Sequence, residues 1–360
     1  MENNSPLITT GFRLLDALIR PNIKTLKPYS SARHEFTGEA QVFLDANENS
    51  FGSPLPDPFN RYPDPLQWQV KFQLARVKGI PAENIFIGNG SDEVIDLAYR
   101  IFCEPGLDNV IVCPPTYGMY QVSAQINNVA VRQVPLTSDF QLDVEGILQA
   151  VDAHTKLLFV CSPNNPTGNS MRREDVELVL NNFPGLVIID EAYINYARQK
   201  SFMAELTEYP NLIVMQTLSK AWGLAALRVG MAFASLDIID WFNKVKPPYN
   251  SNDATQQLVL EALGQTDLVN SWIRDTVDER ERLARALRLL PMVQRVFASD
   301  ANFLLVQVAD ADAVYAFLSA AGIVVRNRSK EPGCAQCLRI TIGTPEENDR
   351  LLIQLNAYSA

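Results

Sequence analysis

One lysine stands in a context that could make it a nucleophile. Lys220 lies in Thr217-Leu218-Ser219-Lys220-Ala221-Trp222-Gly223, between apolar runs at residues 211–216 and 229–234 that read as strands. An ammonium held in apolar surroundings loses hydration and its pKa falls, which prepares the amine for Schiff-base chemistry. Taken alone, the segment also reads as a surface turn with a solvated lysine. What favours chemistry is that other segments carry the partners a lysine-bound cofactor would need. Asp190 ends a further apolar run, 186–190, where an unpaired carboxylate is expensive. It needs a cationic partner or several donors, unless it is a helix cap. Tyr117, after Pro114-Pro115-Thr116, could stack on a planar ligand or pack in the core.

The elements that must position these groups alternate along the chain. Short apolar runs at 85–87, 110–113, 129–134, 157–161, 186–190 and 211–216 read as strands. Between them lie helical stretches over 93–102, near Tyr117, from Asp143 and from Arg172. Continuous apolar strands alternating with helices predict a mainly parallel sheet covered on both faces. Ligands of such sheets bind beyond the carboxyl ends of the strands. Four strand-end segments then converge with the lysine: Gly88-Asn89-Gly90-Ser91-Asp92, the Tyr117 turn, Ser162-Pro163-Asn164-Asn165-Pro166-Thr167-Gly168 and Asp190-Glu191-Ala192-Tyr193. A glycine turn, a serine and a helix start make either an anion site or a plain capped helix. Residues 45–65 are too rich in proline for a helix or central strand and read as a functional loop or a spacer.

Composition narrows the classes. The 360 residues are enough for a large core and more than one domain. A net charge of −10 argues against nucleic acid or an anionic membrane, so an anionic ligand must be drawn by a few local arginines. Five cysteines, an odd count, fit a reducing cytoplasm better than a disulfide framework. Cys334 and Cys337 form a C-x-x-C pair, but with no second pair and only His34 and His154 elsewhere no metal is expected. The opening residues show no secretory leader, and the apolar stretch 221–238 is broken by Arg228 and Asp237.

In their order along the chain, the Ser-Pro-Asn-Asn-Pro-Thr-Gly, Asp-Glu-Ala-Tyr and Thr-Leu-Ser-Lys segments with the following Arg228-Val229-Gly230 resemble the fold-type I pyridoxal-phosphate aminotransferases. Leu44-Asp45-Ala46-Asn47-Glu48-Asn49, Asn60-Arg61-Tyr62-Pro63-Asp64, residues 113–120 and residues 337–343 bring the pattern closer to the histidinol-phosphate aminotransferases. The resemblance covers nearly the whole chain. It implies an α/β fold-type I transferase: a large, mainly parallel cofactor domain over 46–248, and a smaller α/β domain from 1–45 and 249–360.

The resemblance also implies roles. Lys220 would bind pyridoxal 5′-phosphate and move protons between substrate and cofactor. Asp190 would pair with the pyridine nitrogen, Tyr193 and Asn165 with the phenolic oxygen, and Tyr117 would stack on the ring. Ser91, Asp92, Thr217, Ser219 and Arg228 would hold the cofactor phosphate. Tyr62 would reach the partner subunit's cofactor, so a homodimer with shared sites is implied. Arg326 and Arg339, each otherwise a strand-edge arginine in water, would take the substrate's anionic group, with Tyr29 and Asn47 nearby. The implied reaction is reversible amino transfer between glutamate/2-oxoglutarate and imidazole-acetol phosphate/histidinol phosphate, in histidine biosynthesis. A phosphothreonine decarboxylase, or an aminotransferase for aromatic substrates, remains open on the same scaffold. A DNA-binding regulator with an aminotransferase-like body is disfavoured by acidity and by the lack of room before Asp45.

Overall fold

The computed structural model describes residues 15–28 and 42–358. A seven-stranded sheet holds β1 (Ile85–Asn89), β2 (Asn109–Val112), β3 (Ala130–Gln133), β4 (Thr155–Cys161), β5 (Leu186–Asp190), β6 (Leu212–Thr217) and β7 (Val229–Phe233), ordered β1-β7-β6-β5-β4-β2-β3. From β3 across to β6 every pairing is parallel. Strand β7 runs antiparallel to both neighbours. The reason is the connection. Parallel neighbours need a crossover of a dozen or more residues, usually helical. Only a tight turn and a short 3₁₀ piece, Ala225–Leu227, separate β6 from β7. The lysine segment is that reversal.

Alternate residues of each strand enter different cores. Ile85, Val187, Ile189 and Val214 join one cluster, while Phe86, Leu186, Ile188 and Ile213 join a second on the opposite face. With both faces buried, the period-two polarity of a half-exposed strand disappears, which is why these runs read as continuously apolar. The edge strand β3 is the exception, with both ends exposed. The helix Ser91–Phe102 buries Val94, Ile95, Ala98 and Ile101 on the second face. Leu15, Leu18, Ile19 and Ile23 from the amino-terminal segment join that same cluster.

A second, antiparallel sheet contains β8 (Val293–Val296), β9 (Phe303–Val308), β10 (Arg326–Asn327) and β11 (Cys337–Thr341), ordered β10-β11-β9-β8. Leu283 of the long helix Thr266–Leu287, Val314 of Ala311–Ala320 and Leu351 of Pro345–Ala357 pack with Leu304, Val306 and Leu338 in a separate core. The apolar residues 323–325 lie outside this sheet; pairing begins at Arg326, and Val324 is 82% exposed. Residues 45–65 contain neither helix nor strand.

Candidate active site

The turn after β6 sets Lys220. Leu218 N–H donates to Val229 O at 3.0 Å, Leu224 N–H to Leu218 O at 3.0 Å and Gly223 N–H to Lys220 O at 3.0 Å. Gly223 closes it at φ +67°, where side chains are rarely tolerated. Lys220 itself is exposed, which corrects the apolar surroundings expected for it. It stands in the turn between β6 and β7, at a cavity of about 330 Å³. Partial desolvation by the cavity walls, and then Arg339, still lower its pKa, while Asp190 and Asp92 oppose them. Its exposure limits that lowering, because water screens the neighbouring charges.

Asp190, at the carboxyl end of β5, is 3% exposed. Its Oδ2 accepts from Tyr120 Oη at 2.7 Å and its Oδ1 from Ala192 N–H at 3.0 Å. Burial nevertheless pushes its pKa up to about 6. Two donors therefore do not replace lost hydration, and the site rewards a cation or proton beside this carboxylate. Tyr120 stacks on Phe159 at 4.7 Å, and its own carbonyl accepts from Tyr99 Oη at 2.8 Å. This phenol carried no role in the sequence reading, although it lies three residues after Tyr117, the spacing that places two side chains on one helical face. Glu191, next along the chain, has a different job. It is buried and accepts from Phe202 N–H at 2.8 Å and Gln216 Nε2 at 2.9 Å, tying the loop after β5 to β6.

The anion-binding end begins where β1 meets the helix Ser91–Phe102. Gly90 has φ +78°, and its N–H donates to Arg228 O at 2.5 Å. A Cβ on Gly230 would lie 2.1 Å from Ser91 N, so only glycine lets β7 approach the helix start so closely. First-turn N–H groups lack intrahelical acceptors, and the helix dipole favours an anion there. Ser91, Asp92, Thr217, Ser219 and Arg228 all line the cavity at this end. Arg228 is half exposed, with Nη2 3.5 Å from Asp92 Oδ2. Asp92 also accepts from Tyr117 Oη at 3.1 Å.

Opposite them, Asn164 is fully buried and braces two loops, donating to Pro115 O at 2.8 Å and Thr167 Oγ1 at 2.7 Å while accepting from Thr116 Oγ1 at 3.0 Å. That brace leaves Asn165 facing the cavity, where its Oδ1 accepts from Arg339 Nη1 at 2.5 Å. Its amide N–H groups remain available to an acceptor. Tyr193 sits edge-on to Phe303 at 5.1 Å, and burial raises its pKa, so the phenol keeps its proton. Lys220 Nζ is 5.7 Å from that ring centre. From the second sheet, Arg326 and Arg339 face each other in register across β10 and β11, and both line the cavity. Arg328 does too, a residue the sequence reading passed over although it lies two positions from Arg326.

Twelve of the expected site residues thus share one cavity; two further described ones, Tyr62 and Asn47, do not. Tyr62 is 50% exposed and stacks on Tyr249 at 4.4 Å, outside this chain's cavity. Asn47, at φ +55°, is also exposed and outside it. Tyr29 lies outside the described residues. Cys334 and Cys337 are buried, and burial pushes their thiols up to about 12 and 11. Among the described residues, no group of three His, Cys, Asp or Glu side chains could hold a metal ion. Nor, among them, is any helix long and apolar enough to cross a membrane.

The chain matches the family of class I and II aminotransferases over residues 45–355. It is 55% identical to the histidinol-phosphate aminotransferase of Parabacteroides distasonis over 94% of this chain and 97% of that one. With the enzyme of that name from Cytophaga hutchinsonii, identity is 52% over 96% and 99%. The histidinol-phosphate aminotransferase of Sinorhizobium meliloti, solved in complex with pyridoxal-5′-phosphate, superposes with a TM-score of 0.76 at 25% identity, covering 94% and 96%. The cavity suits that cofactor on physical grounds: a buried carboxylate short of counter-charge, an exposed lysine of lowered pKa and a helix start open to an anion. With likeness running nearly from end to end, and with a cavity of that chemistry, this chain belongs to the class I and II aminotransferases, pyridoxal-phosphate enzymes, and within them to the histidinol-phosphate aminotransferase family.

Proposed function

We propose that the chain moves an amino group reversibly between glutamate/2-oxoglutarate and imidazole-acetol phosphate/histidinol phosphate, a step of histidine biosynthesis. The observation that carries this reading is the arginine group from the second sheet facing Lys220 across one cavity. Bound pyridoxal phosphate supplies the electron sink that makes a proton on the substrate's amine-bearing carbon removable. Lys220 would hold the cofactor, and its Nζ would then serve as general base for that proton and as general acid in returning it. Asp190 would hold the proton of the ring nitrogen, Asn165 Nδ2 and the Tyr193 hydroxyl would hydrogen-bond the phenolic oxygen, and Tyr117 would lie against the ring. Ser91, Asp92, Thr217, Ser219 and Arg228 anchor the cofactor phosphate, and Arg326 and Arg339 orient the substrate by its anionic end.

Tyr62 is read as reaching the partner subunit's cofactor, and Asn47 and Tyr29 as binding substrate. A homodimer with shared sites follows, in the cytoplasm, without nucleic acid or membrane. Residues 46–248 are read as the cofactor domain, with 1–45 and 249–360 forming the smaller one. Mixing Tyr62→Phe with Lys220→Ala protein tests the sharing: heterodimers should regain one intact site, and verified heterodimers without activity would end that idea. For the reaction itself, purified enzyme is assayed with histidinol phosphate plus 2-oxoglutarate, and separately with phosphothreonine. Turnover of the first with release of glutamate is expected; release of carbon dioxide from the second would replace this reading with the decarboxylase.

A further inference from the structure

We propose that Arg328 is the residue by which this site tells a phosphate-bearing substrate from a dicarboxylate donor, an inference that rests on the transamination proposed above. Arg326, Arg328 and Arg339 line the same cavity. Arg326 is the register partner of Arg339, and Arg328 N–H donates to Cys337 O at 2.8 Å, extending the pairing of β10 with β11. On such an extended segment, residues two apart turn to the same side.

The guanidinium groups are incompletely paired. Nε of Arg328 and Nε of Arg339 are both buried without a hydrogen-bond acceptor. A buried donor left unmade is uncommon and costly. Nη1 of Arg328 is 3.6 Å from Glu331, beyond hydrogen-bonding range, and Nη1 of Arg339 goes to the neutral Asn165 Oδ1. Burial, and then the charges of Arg328 and Arg326, hold the Arg339 pKa below its ordinary value. Arg339 thus sits among two further cations, and the acid paired with Arg328, Glu331, stands beyond hydrogen-bond range.

The two substrates of the reaction would meet this group differently. A carboxylate brings one charge and two oxygens, which a pair of guanidinium forks satisfies. A phosphate monoester brings about −1.5 to −2 charges near pH 7 and three acceptor oxygens, enough for a third fork. Arg328 is the arginine left over when the anion is a carboxylate, and the one engaged when it is a phosphate.

The test follows each half-reaction of the holoenzyme separately through the bound-cofactor absorbance. Arg328→Gln should weaken histidinol phosphate about ten- to hundredfold, the worth of one charge-assisted contact, and leave glutamate within about threefold. Arg328→Lys, which keeps the charge, should recover part of the loss and guards against a folding defect in the first variant. Binding of inorganic phosphate to the holoenzyme, read by calorimetry, should weaken in parallel. Wild-type affinity for histidinol phosphate should fall as pH drops through the phosphate's second pKa of about 6, less steeply in Arg328→Gln. Equal losses on both half-reactions would make Arg328 a general electrostatic contributor and overturn the proposal. No loss on either would leave it a structural partner of Glu331 and overturn it as well. If wild type bound histidinol phosphate and histidinol equally, the underlying reading of the substrate would fail, not merely the role of Arg328.

Discussion

Asp190 and Arg339 face one cavity from different sheets, and their surroundings differ in kind. Asp190 ends a central strand, 3% exposed, fixed by Tyr120 and Ala192. Arg339 lies in a small antiparallel sheet, half-buried, held by one bond to Asn165 and stacked 5.3 Å from the Phe303 ring. The large sheet packs both of its faces, so it can hold a charge that the protein alone does not neutralise. The second sheet brings guanidinium groups to the cavity with spare donors. On the function proposed above, one region would tune a bound ring and the other would receive exchangeable anions. In an enzyme that must accept two different substrates in turn, that division separates fixed chemistry from adaptable recognition.

The largest effect is expected from Lys220→Ala, which on the proposed function removes both the attachment point and the proton carrier: turnover should fall by at least about 10²–10⁴. Borohydride should then fail to fix labelled cofactor to the chain. A cofactor still reduced onto the variant would show that another lysine was the attachment point.

Arg339→Ala tests the other region. Removing one partner from a buried charge pair costs about 2–5 kcal/mol, so the KM for histidinol phosphate should rise steeply while the bound-cofactor spectrum is unchanged. A changed spectrum with an unaltered KM would reverse the division drawn above.

Asp190→Asn should lower the rate about 10²–10³-fold, as loss of one preorganised electrostatic partner does. The same substitution should stabilise the cofactor-free protein. Because the folded pKa, about 6, lies above the ordinary 3.8, the folded state binds more protons between those values. Stability is therefore lost as pH rises from 4 to 6. The gap amounts to ~3 kcal/mol at about 1.36 kcal/mol per pH unit. Urea unfolding of cofactor-free protein should find the variant more stable at pH 7 and equal to wild type below pH 4. A variant less stable at pH 7 would mean the carboxylate is already compensated.

Tyr120→Phe should give the smallest loss, about tenfold in rate, for one hydrogen bond to a charged group. Since that bond opposes the rise, the Asp190 pKa should climb further above about 6, observable by NMR of the cofactor-free protein. An unmoved Asp190 pKa would reduce Tyr120 to packing against Phe159.

The sequence by itself determined the alternation of buried strands and helices, the acid at the end of β5 and the lysine in its Thr-Leu-Ser-Lys turn. These were legible because each depends on neighbours close along the chain: apolar runs, turn residues, helix starts. The period-two pattern could not show that β7 reverses direction, because a strand buried on both faces reads the same either way. Nor could it tell Asp190 from Glu191, adjacent buried acids of which one faces the cavity and the other ties β5 to β6. Tertiary structure decided that, along with the bond between Tyr120 and Asp190, 70 positions apart, and that between Arg339 and Asn165, 174 apart. Tertiary structure likewise left Lys220 exposed where its flanking strands suggested burial. Spacing along a chain specifies which face a side chain takes; the distance between two faces is set only when separate elements pack.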